Sequence, residues 1–131
     1  MASIYSAFVN DGNMIKPYIE YKEDKSTQYL VEGAFSKDAA NTIQKDLIQV
    51  VENPEGTAHD AKIDGITLAG KTGTAELKAA QGETGDIISW FDCFTVNTNN
   101  PLLVISMVEN ARDSGGSHHL IQEIKPLLKP E

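Results

Sequence analysis

Two glycines and two threonines surround a single lysine in Ala69-Gly70-Lys71-Thr72-Gly73-Thr74-Ala75-Glu76. Ile66-Thr67-Leu68 precedes this stretch and has the character of a β-strand. Glycine weakens a strand, so a pair of them marks close approach by a ligand or another backbone. Thr72 and Thr74 are two residues apart and therefore lie on one face of a strand. The segment would present a cation, hydroxyl donors and accessible backbone N–H groups along one strand edge. That set suits an anionic ligand carrying a carbonyl.

Other reactive residue types offer less. Cys93 is the only cysteine, so no disulfide or zinc-binding cysteine pair can form within the chain. It lies in an apolar run and reads as a small buried hydrophobe. His59 sits in a polar loop and is expected to be solvated. His118 and His119 read as a solvated pair, because adjacent helical residues point about 100° apart. No metal or organic cofactor is implied.

The elements that must position Lys71–Thr74 can be placed from pattern. Met1, Ile4, Tyr5 and Phe8 recur at helical spacing, giving a helix over Ala2–Val9 that stops at Asn10-Asp11-Gly12. Tyr18–Tyr21 is a short extended piece, 23–27 a charged turn, and 28–32 a short strand. Ser36 is the N-cap of a helix over 37–52, with Ala40, Ile43, Leu47, Val50 and Val51 inward and Gln44 facing water. Strands follow at 66–78, 87–97 and 102–109, the last two joined by the turn signal 97–101. On the middle strand Ile88, Trp90, Phe94 and Val96 share a face with Asp92, which either sits at a fraying edge or pairs with a group outside the strand. The third strand is nearly continuous in apolar residues, which predicts burial on both faces. Ser117 caps a final helix that Pro126 ends or kinks. The fold class is α+β: an antiparallel sheet of three main strands flanked by helices.

With 131 residues, 40% of them hydrophobic, the chain is one domain or part of one. A formal net charge of −8 argues against nucleic acid and anionic membrane surfaces as partners. No apolar run is long enough to span a bilayer. Met1-Ala2 running at once into a helical pattern suggests a start cut from a longer protein.

Gly70-Lys71-Thr72-Gly73-Thr74-Ala75-Glu76, followed by a strand with Trp90-Phe91, resembles the C-terminal part of a class B penicillin-binding protein transpeptidase domain. Lys-Thr-Gly is one of that family's three short motifs, beside Ser-x-x-Lys and Ser-x-Asn. The continuation to Gly85 is similar to the low-affinity, methicillin-resistance type. Gly56-Thr57-Ala58 resembles the family's Gly-Thr-Ala element, and Ala7–Tyr18 its segment after the active-site helices.

The resemblance implies roles for several residues. Lys71 would stabilise a substrate carboxylate and tune the serine of the second motif. The hydroxyls of Thr72 and Thr74 would bind that carboxylate, with Gly73 between them. The backbone N–H of Thr74 would form half of an oxyanion hole. The ligands implied are the peptidoglycan stem peptide and β-lactams, and the parent would be anchored outside the cell membrane.

Ser-x-x-Lys and Ser-x-Asn occur nowhere in the 131 residues. The nearest imitation, Thr42-Ile43-Gln44-Lys45, falls on an exposed helix face. The chain therefore reads as one partial domain, 1–131, without a nucleophile and inactive alone, whose partner is the missing N-terminal half. Unpaired sheet edges would favour a homodimer or a strand-swapped assembly. The rival readings are part of a β-lactam-sensing receptor and a non-catalytic scaffolding module of the same fold.

Overall fold

The computed structural model describes residues 1–20, 23, 26–78, 80–99 and 101–129. The elements are α1 (Ala2–Ala7), β1 (Met14–Ile15), β2 (Tyr29–Val31), α2 (Lys37–Glu52), β3 (Thr67–Leu77), β4 (Asp86–Val96), β5 (Leu103–Val108) and α3 (Gly116–Ile124). Short 3-10 turns cover His59–Ala61 and Lys125–Leu128. By internal packing the chain divides into two compact units, Met1–Asp46 and Leu47–Glu131, with the boundary inside α2. The charged turn read at 23–27, the end of the extended piece at Tyr21, and position 100 of the turn at 97–101 fall wholly or partly outside the described residues.

In the first unit, α1 buries Tyr5, Ser6 and Ala7. The helix stops because Gly12 adopts φ +86° and returns its N–H to the Ala7 carbonyl at 2.9 Å. Only glycine fits there, since a Cβ would lie 2.0 Å from the Phe35 carbonyl oxygen. Phe8 stacks on Phe35 with centroids 5.6 Å apart, and Tyr5 meets Phe8 edge-on at 5.8 Å. Ser6 Oγ accepts from the Ile15 N–H at 2.9 Å, tying α1 to the β1–β2 hairpin. Ser36 caps α2 as expected, accepting from the Ala39 N–H at 3.2 Å. Gln44 departs from its expected solvent position: its amide donates to the Phe8 carbonyl at 3.1 Å. A long polar side chain at the flank of an amphipathic helix can reach a stray carbonyl that periodicity cannot locate.

The second unit is built on a three-stranded antiparallel sheet in the order β3-β4-β5. β4 is central. It pairs from Thr67↔Val96 to Leu77↔Asp86 on one side, and from Ser89↔Val108 to Phe94↔Leu103 on the other. Side chains alternate across the sheet. Phe91 and Cys93 join Leu68, Val51, Ala58, Ala61, Leu120, Ile121, Ile124 and Leu128 in one core, so α3 covers that face. Burying a side chain such as Phe91 contributes about 2–3 kcal/mol. Trp90, Asp92 and Phe94 point to the opposite face. Asp92 is not at a fraying edge: it is 2% exposed in mid-strand, and its Oδ1 accepts from the Ser106 N–H at 3.2 Å. Ser89 Oγ is buried and has no hydrogen-bond partner among the described residues.

Two expectations are corrected here. β5 is not buried on both faces. Val104 and Val108 pack on the α3-side core, but Met107, on the other face, is 45% exposed. β5 has one strand neighbour, so its apolar run marks one buried face and one partly open face. Ser117 does not cap α3. The helix begins at Gly116 after Gly115, and these glycines adopt φ +62° and +88°, a reversal that replaces a side-chain cap.

Candidate functional site

β3 has a strand neighbour on one side only, leaving its other edge open within the sheet. Lys71 and Gly73 pair with Asp92 and Trp90, so their Cα substituents share the face away from α3. Thr72 and Thr74 pair with Phe91 and Ser89 and share the α3 face. The common face expected for the two threonines is therefore present, with the lysine on the other side of the same ribbon.

The Lys71 ammonium folds back and donates to the Thr72 carbonyl at 2.6 Å. That oxygen accepts the lysine because it lies on the open edge. Residues two apart in a strand direct their N–H and C=O to the same side. Thr74 therefore presents its N–H toward the same open edge as the Thr72 carbonyl. Lys71 and Thr74 are exposed, and Thr72 is half-buried. A cation, two hydroxyls and an outward-facing N–H thus lie along about three residues of edge. Such an array can bind a carboxylate and polarise a neighbouring carbonyl.

A residue not assigned to the site from sequence stands beside it. Thr57 Oγ1 lies 3.0 Å from Thr72 Oγ1. Thr57 reaches this position because the chain after α2 turns sharply. Gly56 packs so tightly on the helix end that a Cβ would lie 2.3 Å from the Val50 carbonyl oxygen. The Ala58 N–H donates to that carbonyl at 3.1 Å, and Ala58 is fully buried. The Gly56-Thr57-Ala58 element was the available sequence signal, but its distance from β3 could not be read along the chain. His59, expected to be solvated, is half-buried, with Nδ1 3.0 Å from the Val51 carbonyl oxygen. It braces the same turn.

Further along β3, Glu76 and Lys78 form an ion pair at 2.5 Å. The hydrogen bond from Lys78, then its charge, hold the Glu76 carboxyl below the ordinary carboxylate range. Arg112 Nε donates to the Gly85 carbonyl at 3.1 Å and its Nη2 donates to the same oxygen, gripping the end of the β3–β4 loop. Cys93 is fully buried, and burial followed by the Asp92 charge pushes its thiol up to about 12. A thiol in that state is not a nucleophile. His118 is exposed and pairs with Asp60 at 3.0 Å; His119 is exposed. Among the described residues no three His, Cys, Asp or Glu side chains are grouped to hold a metal ion. Thr42, of the Ser-x-x-Lys imitation, is exposed and donates to the Asp38 carbonyl of its own helix at 2.9 Å.

The family model described as "Penicillin binding protein transpeptidase domain" matches residues 1–126. Penicillin-binding protein 3 of Bacillus subtilis is 36% identical over 126 residues, covering 95% of this chain and 19% of that protein. A probable peptidoglycan D,D-transpeptidase, PbpC, of Pseudomonas aeruginosa is 34% identical over 82 residues, covering 63% of this chain and 14% of that protein. The chain thus spans about a fifth or less of the curated relatives it matches. Among solved structures, the transpeptidase domain of Burkholderia pseudomallei penicillin-binding protein 3 superimposes with TM-score 0.69 at 23% identity, covering 98% of this chain and 42% of that one. A putative peptidoglycan glycosyltransferase from Atopobium parvulum gives TM-score 0.69 at 21% identity, covering 98% and 33%. At those identities the structures establish the α+β fold, with its three-stranded antiparallel sheet.

Proposed function

The chain belongs to the penicillin-binding protein transpeptidase family, and from that premise we propose that it supplies the carboxylate-binding and oxyanion edge of a D,D-transpeptidase site. The observation that carries this reading is the open edge of β3. Lys71, the Thr72 and Thr74 hydroxyls, and the Thr74 N–H line it together. The Lys71 ammonium attracts the ligand carboxylate. The two hydroxyls donate to it and fix the orientation of the peptide or β-lactam. Gly73 leaves the Lys71 face of the strand free of side-chain bulk. The Thr74 N–H donates to the oxygen that becomes negative when the carbonyl is attacked, a contribution of about 3–4 kcal/mol in comparable sites.

The attacking serine is not furnished by these 131 residues, which hold no Ser-x-x-Lys. It comes from the other half of the transpeptidase domain in a longer, extracytoplasmic, membrane-anchored protein. The ligands are peptidoglycan stem peptides, whose cross-linking is the reaction, and β-lactams, which acylate the same serine. Intact-mass spectrometry after incubation with excess benzylpenicillin tests this. The chain alone is expected to show no adduct, and the longer protein that carries it one drug mass. A stable adduct on a serine of this chain would overturn the reading.

A further inference from the structure

We propose that Thr57 is a positioning residue for the carboxylate-binding hydroxyl of Thr72: it donates its proton to Thr72 Oγ1, leaving the Thr72 proton for the ligand. The inference rests on the function proposed above and assigns a role to a residue outside the Lys-Thr-Gly strand.

The argument is one of proton counting. A threonine hydroxyl has one proton to donate and two lone pairs to accept with. An ionised carboxylate only accepts. Thr72 must therefore spend its single proton on the ligand carboxylate and cannot also donate to Thr57. The two hydroxyl oxygens are 3.0 Å apart, and their geometry alone allows either to be the donor. Once a carboxylate is bound, one polarity survives: Thr57 to Thr72 to carboxylate. A hydroxyl that accepts a hydrogen bond becomes a better donor, so the relay strengthens the contact that reads the ligand's charge.

The pair is not a chance meeting of surface rotamers. Thr57 lies between Gly56, which has no room for a Cβ against the Val50 carbonyl, and Ala58, whose N–H is bonded to that carbonyl. The Glu55 N–H donates to Asn53 Oδ1 at 2.9 Å, and the His59 ring holds the far side of the turn at the Val51 carbonyl. The backbone carrying Thr57 is thus pinned to the last turn of α2 on both sides. Thr72 is set by the β3–β4 register. No cation competes for the hydroxyl in the described contacts, because Lys71 Nζ goes to the Thr72 carbonyl.

The test uses the longer serine-bearing protein and two probes: benzylpenicillin, which carries the carboxylate, and its methyl ester, which does not. Thr57→Val keeps the shape and removes the proton; Thr57→Ser keeps the proton. Thr57→Val is expected to slow acylation by benzylpenicillin roughly five- to tenfold. The loss should appear in the half-saturation concentration rather than in the limiting acylation rate. Acylation by the ester should stay unchanged, and Thr57→Ser should restore the parent value. An equal loss with drug and ester would mean that Thr57 is merely structural, and no loss with either would remove it from the site; each overturns the proposal. Thr72→Val separates the two levels. If it discriminates drug from ester while Thr57→Val does not, the relay alone fails. If Thr72→Val does not discriminate either, the carboxylate reading of β3 fails with it.

Discussion

Gly70 and Gly73 look equivalent beside Lys71, yet they meet different surroundings, and replacing each with alanine should separate structure from function. Neither glycine has a positive φ, so alanine fits both backbones. At each, alanine restricts the unfolded chain and contributes about 0.4–1 kcal/mol of stability. At Gly70 the new methyl would lie 3.1 Å from the Asp92 carbonyl oxygen, 3.2 Å from Cys93 Cβ and 3.2 Å from Phe91 Cε2. Phe91 and Cys93 are fully buried and the oxygen belongs to the central strand, so none of the three can give way cheaply. Overpacking of this kind costs about 1–3 kcal/mol. The net expectation for Gly70→Ala is a loss of about 1–2 kcal/mol. At Gly73 the nearest atom is Trp90 Cβ at 3.4 Å, an ordinary contact. Gly73→Ala should therefore be neutral or stabilising by about 0.5 kcal/mol. Urea unfolding of the chain reads this directly. With a slope of about 1–3 kcal/mol per molar, Gly70→Ala should lower the midpoint by about 0.3–2 M, and Gly73→Ala should leave it level or slightly raised. The order reverses for function. In the longer protein Gly73→Ala adds a methyl to the Lys71 face of β3, two residues from that lysine, and on the function proposed above should depress acylation while the fold stays intact. Equal destabilisation by both variants, or full acylation by Gly73→Ala, would refute the assignment of one glycine to packing and the other to ligand approach.

Two further outcomes follow from the same unit. The Cys93 thiol, pushed up to about 12, stays protonated in the folded chain while the unfolded chain ionises near 9. Stability is therefore unaffected below pH 9 and falls as pH rises from 9 toward 12; the urea midpoints of the parent and Cys93→Ala should diverge over that window, and the thiol should resist iodoacetamide until the chain unfolds. Arg112→Ala removes both donors from the Gly85 carbonyl and should speed proteolytic cleavage after Glu83 severalfold, with the global unfolding midpoint unchanged; a midpoint that falls in step with the cleavage rate would show that the grip serves the whole unit rather than the loop.

Much of the architecture was legible because its signals are local. Ser36 and the apolar stripe of α2 placed that helix at Lys37–Glu52, its observed bounds. Alternating residues and turn signals placed β3, β4 and β5 to within about one residue of their observed ends. The first helix was read two residues too long, because Gly12 reaches back to Ala7 and stops it early. The misreadings of His59, Gln44 and β5 share one cause. Each depends on which element covers the residue, and no window of neighbouring residues contains that information.

The site divides in the same way. Residue types and spacing within 69–76 sufficed to point to the family. The full 131 residues, read as sequence, hold no Ser-x-x-Lys. Three facts came only from tertiary structure. The register with β4 put the two threonines on the face that α3 covers and Lys71 on the face away from it. The close contacts of the central strand set Gly70 apart from Gly73. The turn pinned to the end of α2 brought Thr57, fifteen residues away in the chain, within 3.0 Å of Thr72. Backbone preferences act over a few residues, and patterns within that range can be read from one chain. A hydrogen bond between segments depends on how two elements pack, and that is decided only when the fold closes.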